Sequence, residues 1–356
     1  MEAFTAVGKK NPFISYTARP DREPPVDILH PKMSVLESLE MNIQEVITTR
    51  EPRICPVLGS AGAGKTSLFW SIKRLSSENT FVVYLSPQTT EQHAEKLYTS
   101  LWFAWLEQHG LQFLKDLSQE LQEKFGSLDN LIAKLPGLTA VVAEALFAFT
   151  NDDNPQIQQT ARYLFSGIQT NNPILPNNKQ SFLEDDELCF VALKLVLKFV
   201  KKPVIFYFDE IESLFVNYGE NHLEPEIRLL EKIKRFYNEC ENLLIVLSSL
   251  PQIWERIVKM STVSAVSRFE SPAVLKRLTK EDLTTLVTEY MQNYWEDSGL
   301  ESISFPSKIW PFTDEELQHI LDASEGNPRE SIKNLRVLWN QHNEFIQKFL
   351  TSKLGY

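Results

Sequence analysis

Eight consecutive residues, Gly59-Ser60-Ala61-Gly62-Ala63-Gly64-Lys65-Thr66, satisfy the pattern G-x-x-x-x-G-K-[ST] at every fixed position. Glycines let a backbone curl around an anion with successive N–H groups turned inward. The helix that follows adds the partial positive charge of its N-terminus. Lys65 supplies a mobile cation for β- and γ-phosphates, and the Thr66 hydroxyl suits Mg²⁺. The expected anion-binding set runs from Gly59 through Ser67. A second group of reactive side chains comes much later. Asp209 and Glu210 follow the apolar run Val204-Ile205-Phe206-Tyr207-Phe208. Asp209 suits a metal held through its water shell, and Glu210 suits orienting and polarising an attacking water. Ser249 closes the next apolar run, which would set a hydroxyl beside the same phosphates, with Ser248 as its substitute. Arg329 opens a helix after Gly326-Asn327-Pro328, from which its guanidinium can reach back to phosphate. The plain alternatives are a glycine turn without a ligand, a solvated acidic strand end and a capping arginine.

The elements needed to position these groups are legible around them. Ile54–Leu58 reads as a buried strand before the loop, and Ser67–Leu75 as an amphipathic helix after it. Phe81–Leu85, Val204–Phe208, Leu243–Ser249 and the short Ala273–Leu275 read as further strands. Helices are expected at Ser34–Ile47, Glu224–Asn238 and Gln252–Met260. Strands alternating with helices predict a parallel sheet wrapped on both faces. Between the second and third strands lies a long helical stretch. Gly126, Pro136-Gly137 and Asn151–Pro155 break it into several helices, a loop is expected at Asn171–Lys179, and a further helix at Leu188–Val200. The last part is helical, starting at Thr279 as a cap with Asp282 in the capping-box position. Further helices begin at Thr313 and after Pro328, with Trp295 and Phe305–Phe312 expected between the first two. The proline-rich residues 1–32 predict an extended arm anchored by Phe13, Ile28 and Leu29.

Composition bounds what the chain can do. Its 356 residues, 43% hydrophobic and 23% charged, are ordinary for a soluble globular protein. A net charge of −11 argues against coating nucleic acid through overall charge, though not against a local basic patch. Lys232, Lys234 and Arg235, and separately Arg329, Lys333 and Arg336, are the candidate DNA-facing clusters, with solvated helix faces as the plainer alternative. The three cysteines, Cys55, Cys189 and Cys240, lie far apart with no metal-ligand spacing, which fits a reducing cytoplasm. Neither a signal pattern nor a membrane span is legible.

Together these features resemble the AAA+ ATPases. The resemblance rests on the phosphate loop, the Asp209-Glu210 strand, the polar end of the following strand, Ser267-Arg268-Phe269, and Gly326-Asn327-Pro328-Arg329. The last element is most similar to the initiator-type clade and the neighbouring signal-transduction ATPases. The resemblance implies a P-loop sheet flanked by helices, with ATP and Mg²⁺ as cofactors and hydrolysis to ADP and phosphate. By the same resemblance Ser249 is the first sensor and Arg329 the second. Arg268 is an arginine finger acting on a neighbouring subunit, which implies a homo-oligomer or assembly with related ATPase subunits. Ile28 and Leu29 fall where that family's arm packs near adenine. The implied organisation is an arm at 1–32, an ATPase domain at 33–278 with a helical insertion at about 91–200, and a helical lid at 279–356.

Two departures stand out. The insertion is longer than a minimal domain of this kind needs, and Trp102, Phe103 and Trp105 within it suggest rings facing a partner. The winged-helix DNA-binding domain usual in initiators is not expected in the short remainder, which weighs against origin recognition. A GTPase would need N-K-x-D after the carboxylate strand, and Asn178-Lys179-Gln180-Ser181 lacks the Asp. A transport ATPase would carry L-S-G-G-Q. A nucleotide-gated interaction protein with little turnover stays open beside the ATPase, as does the macromolecule acted on, DNA or protein.

Overall fold

The computed structural model describes residues 10–15, 17–76, 78–86, 96–134, 140–151, 155–166, 185–213, 224–261 and 266–354. It is an α/β structure with a five-stranded, all-parallel sheet flanked by helices. The elements that frame the sheet are α1 (Met33–Thr49), β1 (Arg53–Leu58), α2 (Lys65–Ser76) and β2 (Phe81–Leu85). Then come β3 (Val204–Phe208), α9 (Glu224–Glu239), β4 (Leu243–Ser249), α10 (Pro251–Met260) and β5 (Ala273–Val274). Strand order is β2-β3-β4-β1-β5. The apolar runs form strands because both faces are covered, as parallel sheets require; β3 and β4 are buried at every position. Leu275, expected within the last strand, lies just past it, and its N–H donates to the carbonyl of Leu58 at 2.8 Å. Along α1, Met41 and Ile47 face solvent while Val35, Leu39 and Val46 are buried.

By their contacts the residues form two compact units. The first comprises residues 1–38, 57–75 and 273–356. Its C-terminal helices are α11 (Lys280–Asp297), α12 (Asp314–Ser324), α13 (Pro328–Gln341) and α14 (Asn343–Leu354). Thr279 and Thr313 each close a capping box, with Asp282 and Glu316 respectively. Trp295 lies inside α11 rather than after it, because the helix carries on for two more residues. The arm is mostly irregular among its described residues and ends in a 3₁₀ turn, His30–Lys32. Phe13 is fully buried against Tyr290, Phe312 and Trp339. Ile28 is buried as expected, but Leu29 is exposed, its carbonyl accepting from the Lys32 N–H in the 3₁₀ turn; Val26 is buried in its place.

The second unit comprises residues 39–56 and 76–272. Its helical block is α3 (Leu97–His109), α4 (Gln112–Phe125), α5 (Leu128–Lys134), α6 (Ala140–Asn151), α7 (Pro155–Phe165) and α8 (Asp186–Phe199). Gly126 ends α4 as expected, whereas the loop at 171–179 and the break at 136–137 lie outside the described residues. Trp102 and Trp105 are both fully buried: Trp105 stacks on Phe113, and Trp102 donates its indole N–H to the Phe165 carbonyl at 3.0 Å. Only Phe103 of that trio faces outward. The block also closes the free edge of the sheet. On edge strand β2, Gln108 accepts from the Tyr84 N–H and donates to the Tyr84 carbonyl, both at 2.8 Å. His109 Nε2 meets the Val82 carbonyl at 2.9 Å. A side-chain amide thus takes the place of a sixth strand, which protects an edge that would otherwise pair with other chains. Among the described residues no helix is long and apolar enough to cross a membrane.

Gln108→Leu keeps the shape but leaves both Tyr84 backbone groups without their partner. It should cost about 1–3 kcal/mol in urea unfolding. Unchanged stability would mean the edge does not depend on this side chain.

Candidate functional site

In the first unit, β1 ends and the chain turns through the glycine loop into α2. Gly62 and Gly64 have φ of +80° and +96°, the left-handed region that a side chain resists. Gly62 is required twice over, since a Cβ there would lie 2.6 Å from Asn327 Oδ1 and 2.9 Å from Arg329 Cβ. At Gly59 a Cβ would press at 3.2 Å on both Ala63 and Leu275. Ala63 N–H closes a tight turn on the Ser60 carbonyl at 3.1 Å. The Lys65 ammonium is buried and donates to the Gly59 carbonyl at 3.1 Å, so the cation is folded back into the loop. Thr66 and Ser67 open α2, both half-buried. The loop is therefore a cradle that at Gly59 and Gly62 leaves room for backbone but not for extra carbon, with a lysine cation inside it. That shape and donor set fit a phosphate chain.

The C-terminal helices of the same unit reach this loop directly. Asn327 caps α13 and its Nδ2 donates to the Ala61 carbonyl at 2.7 Å. Arg329 stands beside it against Gly62, so the loop and the expected second sensor come together. The arm reaches α2 from its other residues. Lys32 and Asp27 form a buried ion pair; Lys32 Nζ also donates to Ser67 Oγ at 2.7 Å and Ser71 Oγ at 3.2 Å. Asp27 accepts from Ser71 Oγ at 2.7 Å and pairs with Arg74. Burial pushes the Lys32 ammonium below its usual range, and Asp27 pulls against that shift. None of these arm contacts was visible in the sequence, because irregular chain has no period to show which side faces inward.

In the second unit, Asp209 is fully buried and held on both oxygens. Ser248 Oγ donates to Oδ1 at 3.0 Å, the Glu210 N–H donates to Oδ1 at 3.0 Å, and Tyr84 Oη donates to Oδ2 at 3.1 Å. Three donors make a buried carboxylate tolerable and fix its orientation. Register explains the partners. Phe208 pairs with Leu247, which puts Asp209 beside Ser248; Tyr84 pairs with Tyr207, on the same face as residue 209. Ser249, expected as the working hydroxyl, is one residue on. Its buried Oγ has no hydrogen-bond partner among the described residues. Glu210 is exposed and sits at φ +54°, a strained conformation for a residue with a side chain, and Ser86 Oγ donates to its Oε2 at 3.2 Å. Tyr84 and Ser86 were missed because their roles follow from strand pairing across a long stretch of sequence.

Arg268 lies where Phe269 bridges Ile54, near the start of β1, and its guanidinium lies 5.7 Å from the Tyr237 ring centre. Glu270, two residues on, pairs with Arg53 at 3.1 Å. Of the candidate DNA-facing residues, Lys232 pairs with Asp186, and Arg235 with Glu187 and Glu239. Burial pushes all three cysteine thiols up to about 12, so none supplies a thiolate at neutral pH. Among the described residues no group of three or more His, Cys, Asp or Glu side chains is placed to hold a metal ion. A metal here would depend on one or two protein oxygens plus phosphate and water, the manner in which Mg²⁺ is usually bound. No protein-family model and no curated protein sequence matches the chain.

Gly62→Ala meets both an unfavourable φ and a collision, whereas Gly299→Ala, at φ +67° with open space around it, meets only the first. Chemical unfolding should show Gly299→Ala costing about 1 kcal/mol and Gly62→Ala clearly more. Equal costs would contradict the close approach at Gly62.

Proposed function

We propose that this protein is an ATPase of the AAA+ type, binding ATP with Mg²⁺ and hydrolysing it to ADP and phosphate to drive assembly or remodelling. The observation that carries this reading is the glycine loop with its two left-handed glycines, its folded-in Lys65, and Arg329 set against it. The strand order supports it as well. In an all-parallel sheet the ligand is expected beyond the carboxyl ends of the strands; Asp209 and Gly59 follow such ends, and Ser249 is the last residue of β4.

On this reading the N–H groups of residues 59–67 and the Lys65 ammonium bind the β- and γ-phosphates. Lys65 would leave the Gly59 carbonyl for phosphate oxygen. Thr66 and Asp209 are the residues that would hold Mg²⁺, Asp209 through water. The ion, when bound, neutralises charge on the β- and γ-phosphoryl oxygens. Glu210 orients the attacking water and accepts its proton. Ser249 and Arg329 supply a hydroxyl and a permanent cation to the γ-phosphoryl oxygens. Arg268 acts on the nucleotide of a neighbouring copy, so activity depends on assembly.

Two variants test binding and chemistry separately. Lys65→Ala should lose most ATP affinity in calorimetry; full retention would overturn the role of the loop. Glu210→Gln should bind ATP while hydrolysing it about 10²-fold more slowly or worse. Turnover at the parent rate would remove Glu210 as the base.

A further inference from the structure

Asn327 does more than its place before Pro328 requires. A helix cap needs a side-chain acceptor, and Asn327 Oδ1 meets that need with the N–H groups of Arg329 at 3.1 Å and Glu330 at 3.3 Å. Serine or aspartate would cap as well. The amide nitrogen is used for something neither of those residues could do. It donates to the carbonyl of Ala61, inside the phosphate loop, at 2.7 Å. The same side chain closes over Gly62, whose absent Cβ makes the approach possible.

Peptide geometry turns this contact into a statement about the loop. In a trans peptide the C=O and the following N–H point in opposite directions. Holding the Ala61 carbonyl toward Asn327 therefore directs the Gly62 N–H away from Asn327 and fixes it there. A free loop could flip this peptide, because Gly62 has no side chain to resist rotation. An anion site made of backbone N–H groups works only when those groups are already turned the right way.

We propose that Asn327 is a positioning residue of the phosphate site, locking the 61–62 peptide so that its N–H serves the triphosphate of a nucleotide. This rests on the nucleotide-binding reading above and extends it. The lock also joins two events. Because one side chain both caps α13 and pins the loop, the start of the helix that carries Arg329 cannot move without releasing the peptide. Occupancy of the loop is thereby coupled to the position of Arg329.

The test separates capping from locking. Asn327→Ser keeps a neutral cap but is too short to reach Ala61. Asn327→Asp keeps the cap and replaces the donor with a carboxylate. Each is measured for thermal unfolding without nucleotide and for Mg²⁺–ATP affinity by calorimetry, beside the unaltered protein and Lys65→Ala. The Asn327–Ala61 contact is solvent-accessible, so water can take over the carbonyl and unfolding should barely change. Affinity should fall about tenfold in Asn327→Ser and further in Asn327→Asp. If both variants bind as tightly as the parent, Asn327 is only a cap and the proposal is wrong. If Asn327→Ser is destabilised but Asn327→Asp restores both stability and affinity, capping alone matters and the proposal is again wrong. A parent protein that binds no ATP, with Lys65→Ala indistinguishable from it, would instead overturn the nucleotide reading and this inference with it.

Discussion

A backbone that turns its N–H groups to one side must place its carbonyl groups on the other, and the first unit is organised around partners for those of the glycine loop. Ala61 gives its carbonyl to Asn327, Ser60 to Ala63, and Gly59 to the Lys65 ammonium. Each of those partners belongs to an element that must itself be anchored. Asn327 is fixed by capping α13, which is held through Trp339 in the core that contains Phe13. The helix after the loop is gripped by the buried Asp27–Lys32 pair. The arm thus touches the core of the C-terminal helices through Phe13 and the loop's own helix through Lys32. This gives residues far apart in sequence a common purpose: they hold a conformationally free glycine backbone in one arrangement.

The second unit solves a related problem for a carboxylate. A buried, charged Asp209 is tolerable only with several donors, and those donors come from two neighbouring strands and the residue that follows it in the chain. Tyr84 is one of them, and it lies on an edge strand. Its backbone is held by Gln108 of the helical block, so the block that covers the edge also steadies a residue bonded to Asp209. Removing the block would leave β2 without its cover. The burial of Trp102 and Trp105 points the same way, toward a structural part in which Phe103 alone of the three rings is exposed.

Local signals were legible in the sequence, and long-range ones were not. Leu243–Ser249 was read to the residue, because an unbroken apolar run is bounded by a proline helix start at Pro251. Both threonine capping boxes were legible or partly so, since each is decided within four residues. That Ser248 bonds to Asp209 was not, because adjacent strand residues face opposite sides and only register decides which one meets it. Val26, not Leu29, turns inward; no periodicity marks the inner side of an irregular arm. Asn327 had no role of its own in the sequence, because its bond to the phosphate loop crosses 266 positions. The glycine motif itself was complete in the sequence; what the structure adds is why Gly62 in particular cannot be anything else.

The central claim is that residues 59–67 hold the phosphates of a nucleotide. The most direct measurement is a structure of the protein with a non-hydrolysable ATP analogue and Mg²⁺ at saturating concentration. The account predicts phosphate oxygens about 3 Å from the N–H groups of Gly62 and Gly64, with Lys65 Nζ moved from the Gly59 carbonyl to phosphate. An analogue bound elsewhere, or a loop that stays empty with Lys65 still folded onto Gly59, would contradict it.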